Sequence, residues 1–264
     1  MNEKKIEAAA DRLRVAAESR TPCAPVRDLI GTTDLDAAYA VQTRNVAAAI
    51  RDGRTLVGRK IGLTSSAVQA QLGVDQPDFG SLLDDMRVVG EATPLHGLLQ
   101  PRIEAEVVFV LGSDLDAPDI DEAGVRHAVA GMYAGLEIVD SRISDWDITI
   151  SDTIADNASC GLFVLGSRKT LLADTDPAEV AMTMTINGSL VSSGTGTACL
   201  GSPLNALLWL ARKAAALGQP LRAGELVLSG ALGPMAPVNA GDVIEAHISG
   251  LGHVTTRLTP KDGS

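Results

Sequence analysis

An α+β fold is expected for this chain, with a small helical N-terminal part over residues 1–55 and a curled, mostly antiparallel β-rich domain over 56–264. Three observations predict it. Apolar residues recur at helical spacing as far as about residue 52. From Leu56 onward, short β-like runs are punctuated by Gly, Pro and Asp. Those runs do not alternate regularly with helices, which argues against a doubly wound parallel sheet.

Ile6, Ala9, Ala10, Leu13 and Ala17 form the apolar stripe of a first helix, and Ala37, Ala40, Val41, Val46 and Ile50 that of a second. Between them "TPCAPVRDLIG" carries two prolines and reads as a connection. The clearest strands are "RIEAEVVFVL" (102–111), "GLEIVDSRI" (135–143), "AMTMTINGSLVSSG" (181–194), "GELVLSGAL" (224–232) and "GDVIEAHISGLGHVTTRL" (241–258). Asn187-Gly188 sits between two alternating runs, the signal of a tight hairpin turn. One helix interrupts the strands, "PLNALLWLARKAAALG", with Pro203 near its start and Gly218-Gln219-Pro220 at its end.

Composition narrows the function classes. With 45% hydrophobic and 21% charged residues the chain has the make-up of an ordinary globular protein, and at 3% aromatics its core must be built mostly from Ala, Val, Leu and Ile. A net charge of −11 argues against a nucleic-acid or anionic-membrane partner, since both need a basic face. No apolar run approaches the roughly 18 residues of a membrane span, and the charged N-terminus does not read as a secretory signal. Cys23, Cys160 and Cys199 lack metal-ligand spacing and read as reduced, buried thiols of a cytoplasmic protein. "GTGTACLG" (194–201) lacks the third glycine of a dinucleotide loop, and there is no P-loop, HExxH or GxSxG. His96, His127, His247 and His253 are scattered, and no local pattern nominates one for catalysis.

Carboxylates remain. In "PRIEAEVVFVLG", Glu104 and Glu106 sit at alternate positions of an apolar strand, so both point to one face, roughly 6–7 Å apart along it. Glu137 lies between Leu136 and Ile138 in a second apolar strand. Like charges in apolar surroundings repel each other and are costly to desolvate. A divalent cation would resolve this, and hard oxygen ligands select Mg²⁺ or Mn²⁺. The competing expectation is that the glutamates face solvent or pair with Arg102 and Arg142.

Six ordered blocks carry a resemblance: "GRKIGLTS" (58–65), "GVDQPDFG" (73–80), "PRIEAEVVFVL" (101–111), "GLEIVDSRI" (135–143), "DTIADNASCG" (152–161) and "GALGPM" (230–235). Together, from about residue 10 to 255, they resemble the 2-keto-4-pentenoate hydratases, in the hydratase/decarboxylase branch of the fumarylacetoacetate hydrolase superfamily. The resemblance implies a curled catalytic domain of that type, an enzyme of bacterial meta-cleavage pathways, and metal ligation by Glu104, Glu106 and Glu137. It further implies catalytic roles for Lys60 and Asp78, with Ser159 and Gly230 lining the substrate pocket. Lys60 and Asp78 are expected to have pKa values displaced toward neutrality. The implied reaction is hydration of 2-hydroxypenta-2,4-dienoate to 4-hydroxy-2-oxopentanoate. A 2-oxo-3-hexenedioate decarboxylase and a 2-oxohept-3-enedioate hydratase are close alternatives, and a non-catalytic partner subunit is a more distant one. Ring-like homo-oligomers, pentamers or decamers, and association with other pathway enzymes are implied as well.

Overall fold

The computed structural model describes residues 2–65, 69, 74, 76–117 and 119–260, so Gly73 and Asp75 of the second block lie outside the described residues. Helix α1 (Glu3–Ser19) buries Ile6, Ala9, Ala10, Leu13 and Ala16. At the C-terminal end of the stripe Ala16 is buried, whereas Ala17, four residues beyond Leu13, is exposed. The connection that follows contains one short helix, α2 (Arg27–Ile30). Helix α3 (Leu35–Arg51) starts where the Asp34 side chain accepts the Ala37 N–H. Its apolar stripe is buried only in the first half: Ala37 and Val41 are buried, Ala40 and Val46 partly so, and Ile50 is exposed.

The strands are β1 (Leu56–Gly62), β2 (Asp78–Leu83), β3 (Ala92–Pro94), β4 (Arg102–Leu111), β5 (Val129–Val139), β6 (Leu162–Leu165), β7 (Ala181–Ile186), β8 (Ser189–Thr195), β9 (Leu226–Ala231), β10 (Ala236–Pro237), β11 (Val243–Ile248) and β12 (Gly252–Thr259). They form two sheets: β2-β1-β9-β4-β5-β6, with β10 beside β4, and β3-β12-β11-β7-β8. Only β1–β9 and β12–β3 pair in parallel among the described residues, so the expected mostly antiparallel, curled architecture is what forms. Asn187 and Gly188, both at positive φ, close the β7–β8 hairpin. "GLEIVDSRI" is strand only to Val139, because Asp140 leaves the ladder and its carboxylate accepts the N–H groups of Leu99 and Gln100.

Among the described residues, three α-helices lie outside the N-terminal part: α4 (Glu122–Ala128), α5 (Ile150–Ala155) and α6 (Pro203–Ala216). α6 starts where Ser202 caps the Leu204 N–H, and it packs on β9 and β1.

Strand β4 sorts its side chains strictly by parity. Ile103, Ala105, Val107, Phe109 and Leu111 enter the main core, whereas Val108 and Val110 join a smaller cluster with Leu82, Cys160, Phe163 and Leu228 on the opposite face. Glu104 and Glu106 belong to this second face. The smaller cluster therefore floors the sheet beside them.

Helix α3 is tied to this scaffold by one buried polar side chain. Gln42 donates to the carbonyls of Phe79 and Ile154, both at 2.9 Å, bridging β2 and α5. Gln42→Leu should lower stability by about 1–3 kcal/mol, the cost of leaving buried carbonyls unpaired. The urea midpoint of the variant checks this.

Candidate active site

Register decides which groups meet. Glu104 on β4 stands directly across from Glu137 on β5, so their side chains share a face. Glu106 follows two residues on, opposite Gly135. A side chain at 135 would run into Val108, and glycine there keeps β4 and β5 in close contact at the site. One oxygen from each of Glu104, Glu106 and Glu137 can be chosen so that all lie within 4.8 Å of one another. Glu106 and Glu137 are buried at 0% and 1% exposure, and Glu104, partly exposed as a residue, has its carboxylate enclosed with theirs.

The expected arginine partners are engaged elsewhere. Arg102 stacks over the Trp146 ring at 4.6 Å, and Arg142 binds Asp156 at 2.6 Å. Lys60 takes that place instead: its Nζ lies 3.1 Å from Glu137 Oε1, as an ion pair without hydrogen-bond alignment. Lys60 reaches the carboxylates from β1, where it pairs with Gly80 of β2 and Leu228 of β9.

Asp78 begins β2 opposite Gly62. A Cβ at position 62 would collide with the Asp78 carboxylate and come 3.7 Å from Lys60 Nζ, which puts ammonium and carboxylate side by side over the glycine. Asp78 Oδ2 accepts the Thr153 hydroxyl at 3.3 Å, while Oδ1 is buried with no partner. Thr153 Oγ1 lies 3.3 Å from Ser159 Oγ. Ser159 ends a turn in which Asn157, Ala158 and Ser159 all adopt left-handed φ of 51–54°, a costly run for residues with side chains. Asn157 pins that turn by accepting from the Ser81 N–H and donating to the Ser81 carbonyl.

Gly230, expected in the pocket wall, meets the triad through its backbone. Its N–H donates to Glu106 Oε2 at 2.7 Å, where the β4–β9 ladder slips between Glu106 and Val108. The Gly230 φ is +107°, and a Cβ would strike Thr64. Cys199 lies behind this corner and donates its thiol to the Ser229 carbonyl, and burial pushes that thiol up to about 12.

Electrostatics define what the site lacks. Burial raises all four carboxyl groups: Glu106 well above the usual range, Glu104 less, Glu137 to about 7 and Asp78 to about 6. For Lys60, burial pulls downward, but Glu137, Cys160, Glu104 and Asp78 outweigh it and leave the ammonium above the ordinary lysine value. The expected displacement toward neutrality therefore holds for Asp78 and is reversed for Lys60, because its neighbours are carboxylates. Ionised, four carboxylates against one ammonium carry a charge of −3; a divalent cation would bring that to −1. Glu106 Oε1 and both Glu137 oxygens are buried without a hydrogen-bond partner. Three convergent hard oxygen donors with unspent lone pairs fit a divalent cation.

Sequence reasoning missed Thr153, Asn157 and Thr64, each a polar residue in a segment without period. His247 and His253, scattered in sequence, face each other across β11–β12 with ring centroids 4.4 Å apart, on the exposed side of the second sheet.

A curled sheet presenting a buried acidic triad beside a lysine has the donor set of an enzyme that could hold a divalent cation. Residues 61–259 match the family model for the fumarylacetoacetate (FAA) hydrolase C-terminal domain, and the chain belongs to that family. It is 57% identical over 251 residues to the TodF product hydratase of Pseudomonas putida, covering 95% of this chain and 94% of that one. It is 53% identical to a 2-keto-4-pentenoate hydratase of Paraburkholderia xenovorans, covering 96% and 94%. A solved 4-oxalocrotonate decarboxylase from Pseudomonas putida G7, complexed with magnesium and adipate, superposes with a TM-score of 0.93 at 31% identity, covering 98% of each chain.

Two outcomes follow. Gly230→Ala should weaken Mg²⁺ binding at least about tenfold, because the new Cβ strikes Thr64 and shifts the backbone N–H out of line with Glu106, an effect of the usual size for a lost charge-assisted hydrogen bond; isothermal titration measures it. Asp78→Asn should change the pH dependence of stability in chelator-stripped protein. Because the folded pKa of Asp78 is raised to about 6, its contribution is full below the unfolded value near 4 and is lost as pH climbs through 6. The asparagine variant should therefore gain on the wild type between about pH 4 and 6 and hold a constant advantage above, as read by urea denaturation across pH.

Proposed function

We propose that this chain adds water to 2-hydroxypenta-2,4-dienoate (2-keto-4-pentenoate), giving 4-hydroxy-2-oxopentanoate. The observation that carries this reading is the division of one sheet face into two chemically distinct halves. Glu104, Glu106 and Glu137 converge within 4.8 Å, and Lys60 and Asp78 stand beside them as a buried acid–base pair. The high identity to relatives named as hydratases supports the choice of substrate.

In this reading the three glutamates hold Mg²⁺ or Mn²⁺, which when bound supplies Lewis-acid polarisation of a chelated 2-oxo acid. The remaining work falls to side chains. Lys60, held charged by its neighbours, donates a proton to C5 as the dienol becomes the 2-oxo-3-enoate. Asp78 takes up the proton lost from the 2-hydroxyl. Neutral Lys60 then receives a proton from the water that bonds to C4, and Asp78 returns its proton to C3. Each group ends in its starting state. The floor of Val108, Phe163 and Leu228 supplies an apolar surround.

The related decarboxylase reading needs a cation for a second substrate carboxylate. Among the described residues, the buried cations of this region are engaged: Lys60 by Glu137, Arg142 by Asp156 and Asp140, and Arg59 by Glu225. "GALGPM" adds none. This favours the five-carbon monoacid. We also propose a ring-type homo-oligomer, pentameric or decameric, in the cytoplasm, on the strength of the family resemblance.

The direct test incubates metal-loaded protein with 2-hydroxypentadienoate and, separately, with 2-oxo-3-hexenedioate. Loss of dienoate absorbance with formation of 4-hydroxy-2-oxopentanoate is expected, without CO₂ from the diacid; CO₂ release with the dienoate untouched would move the assignment to the decarboxylase. Lys60→Ala and Asp78→Asn should each lose roughly 10²–10⁴-fold in kcat, the span of a general acid–base group, while Mg²⁺ affinity stays near that of the wild type.

A further inference from the structure

Three buried side chains form a line with a definite donor order. Asp78, Thr153 and Ser159 are exposed by only 1%, 4% and 4%. Thr153 Oγ1 lies 3.3 Å from Asp78 Oδ2 and 3.3 Å from Ser159 Oγ. A threonine hydroxyl has one proton and two lone pairs. When Asp78 is ionised it can only accept, so Thr153 gives it that proton and must then accept from Ser159. Ser159 is left with lone pairs, not a proton, for whatever it faces. Adding a proton to Asp78 reverses every bond in the line, and Ser159 becomes a donor.

The scaffold fixes this line from both ends. Thr153 lies on α5, whose neighbouring Asp152 accepts from the Val26 and Arg27 N–H groups and from the Arg27 guanidinium. Ser159 is carried by the left-handed turn that Asn157 locks to Ser81. Backbone strain at three successive residues needs compensation, and presenting the Ser159 hydroxyl to Thr153 is what the turn achieves.

We infer that Thr153 is a positioning residue that joins Asp78 and Ser159 into a proton relay serving the substrate's 2-hydroxyl. The inference rests on the hydratase reading. The O2–H bond breaks and its electron pair becomes the C2=O π bond. The proton passes to Ser159 Oγ, the Ser159 proton to Thr153 Oγ1, and the Thr153 proton to Asp78 Oδ2. The displaced diene electrons take a proton at C5 from the Lys60 ammonium. Ser159 is thus a proton acceptor in the first step, and Asp78 acts without touching the substrate oxygen.

The test follows 2-hydroxypentadienoate in D₂O by NMR with metal-loaded wild type, Thr153→Val, Thr153→Ser and Ser159→Ala, reading deuterium at C5 and the 4-hydroxy product separately. Thr153→Val should lose on the order of 10²-fold in C5 labelling, the scale of a misplaced catalytic group, with KM, thermal midpoint and Mg²⁺ affinity near wild type. Thr153→Ser should restore most of the rate. Thr153→Val and Ser159→Ala combined should lose little more than either alone, because both break one line. Rate against D₂O fraction should be bowed in wild type, from several protons in flight, and straight in Thr153→Val; Thr153→Ala replaces the valine variant if that does not fold. C5 labelling at the wild-type rate in a folded variant lacking the hydroxyl overturns the relay and leaves the hydratase reading standing. Labelling without any 4-hydroxy product in wild type overturns the hydratase reading and leaves the relay. No labelling above the enzyme-free rate overturns both.

Discussion

Four carboxyl groups buried around a single ammonium dominate the physics of this protein. Charges removed from water at this density are not stable by themselves, and every neighbouring feature manages them. Lys60 crosses the sheet to reach Glu137, the Gly230 N–H turns onto Glu106, and Thr153 supports Asp78. Among the described residues, the buried carboxylate oxygens without a hydrogen-bond partner belong to Glu106, Glu137 and Asp78, and Glu104 converges with the first two. That concentration of negative charge is the binding energy offered to a cation, held in reserve by the stability of everything else.

The backbone accepts strain to keep these groups in place. Gly62, Gly135 and Gly230 stand where a Cβ would collide with Asp78, Val108 and Thr64, so strands and side chains close up around the site. The turn at Asn157–Ser159 goes further and uses left-handed residues with side chains. Rigid anchors flank both: Asn157 on β2, Asp152 on the α2 entry, and Gln42 between β2 and α5. Helices α3 and α5 thereby act as a brace for the strand that starts at Asp78.

Much of this was legible in the sequence wherever a period carried it. Alternation placed Glu104 and Glu106 on one face of a strand, and the structure has that strand at Arg102–Leu111. The Asn187-Gly188 hairpin and the helix from Pro203 were readable from turn and capping chemistry. Helix α5 was not, since only six residues of it are helical and all are buried, which leaves no polar face to set a pattern. Cross-strand register lies beyond a single strand's period, so Glu104 facing Glu137 could be named only through family resemblance. The upward shift of Lys60 comes from acids that neighbour it only in space, whereas its sequence neighbours include no acid. Thr153 and Gln42 act through partners 75 and 112 residues away, and nothing local marks them.

If the raised carboxyl groups of the triad ligate one divalent cation, their protons must compete with it. Calorimetric titration of chelator-stripped protein with Mg²⁺, repeated from pH 6 to 8 in buffers of different ionisation enthalpy, tests that competition most directly. Burial raises Glu137 to about 7 and lifts Glu106 well above the usual carboxylate range, so binding must displace protons. One ion per chain is predicted, with proton release on binding and affinity that rises with pH across this range. Binding with no proton release and no pH dependence, or no binding, would contradict the account.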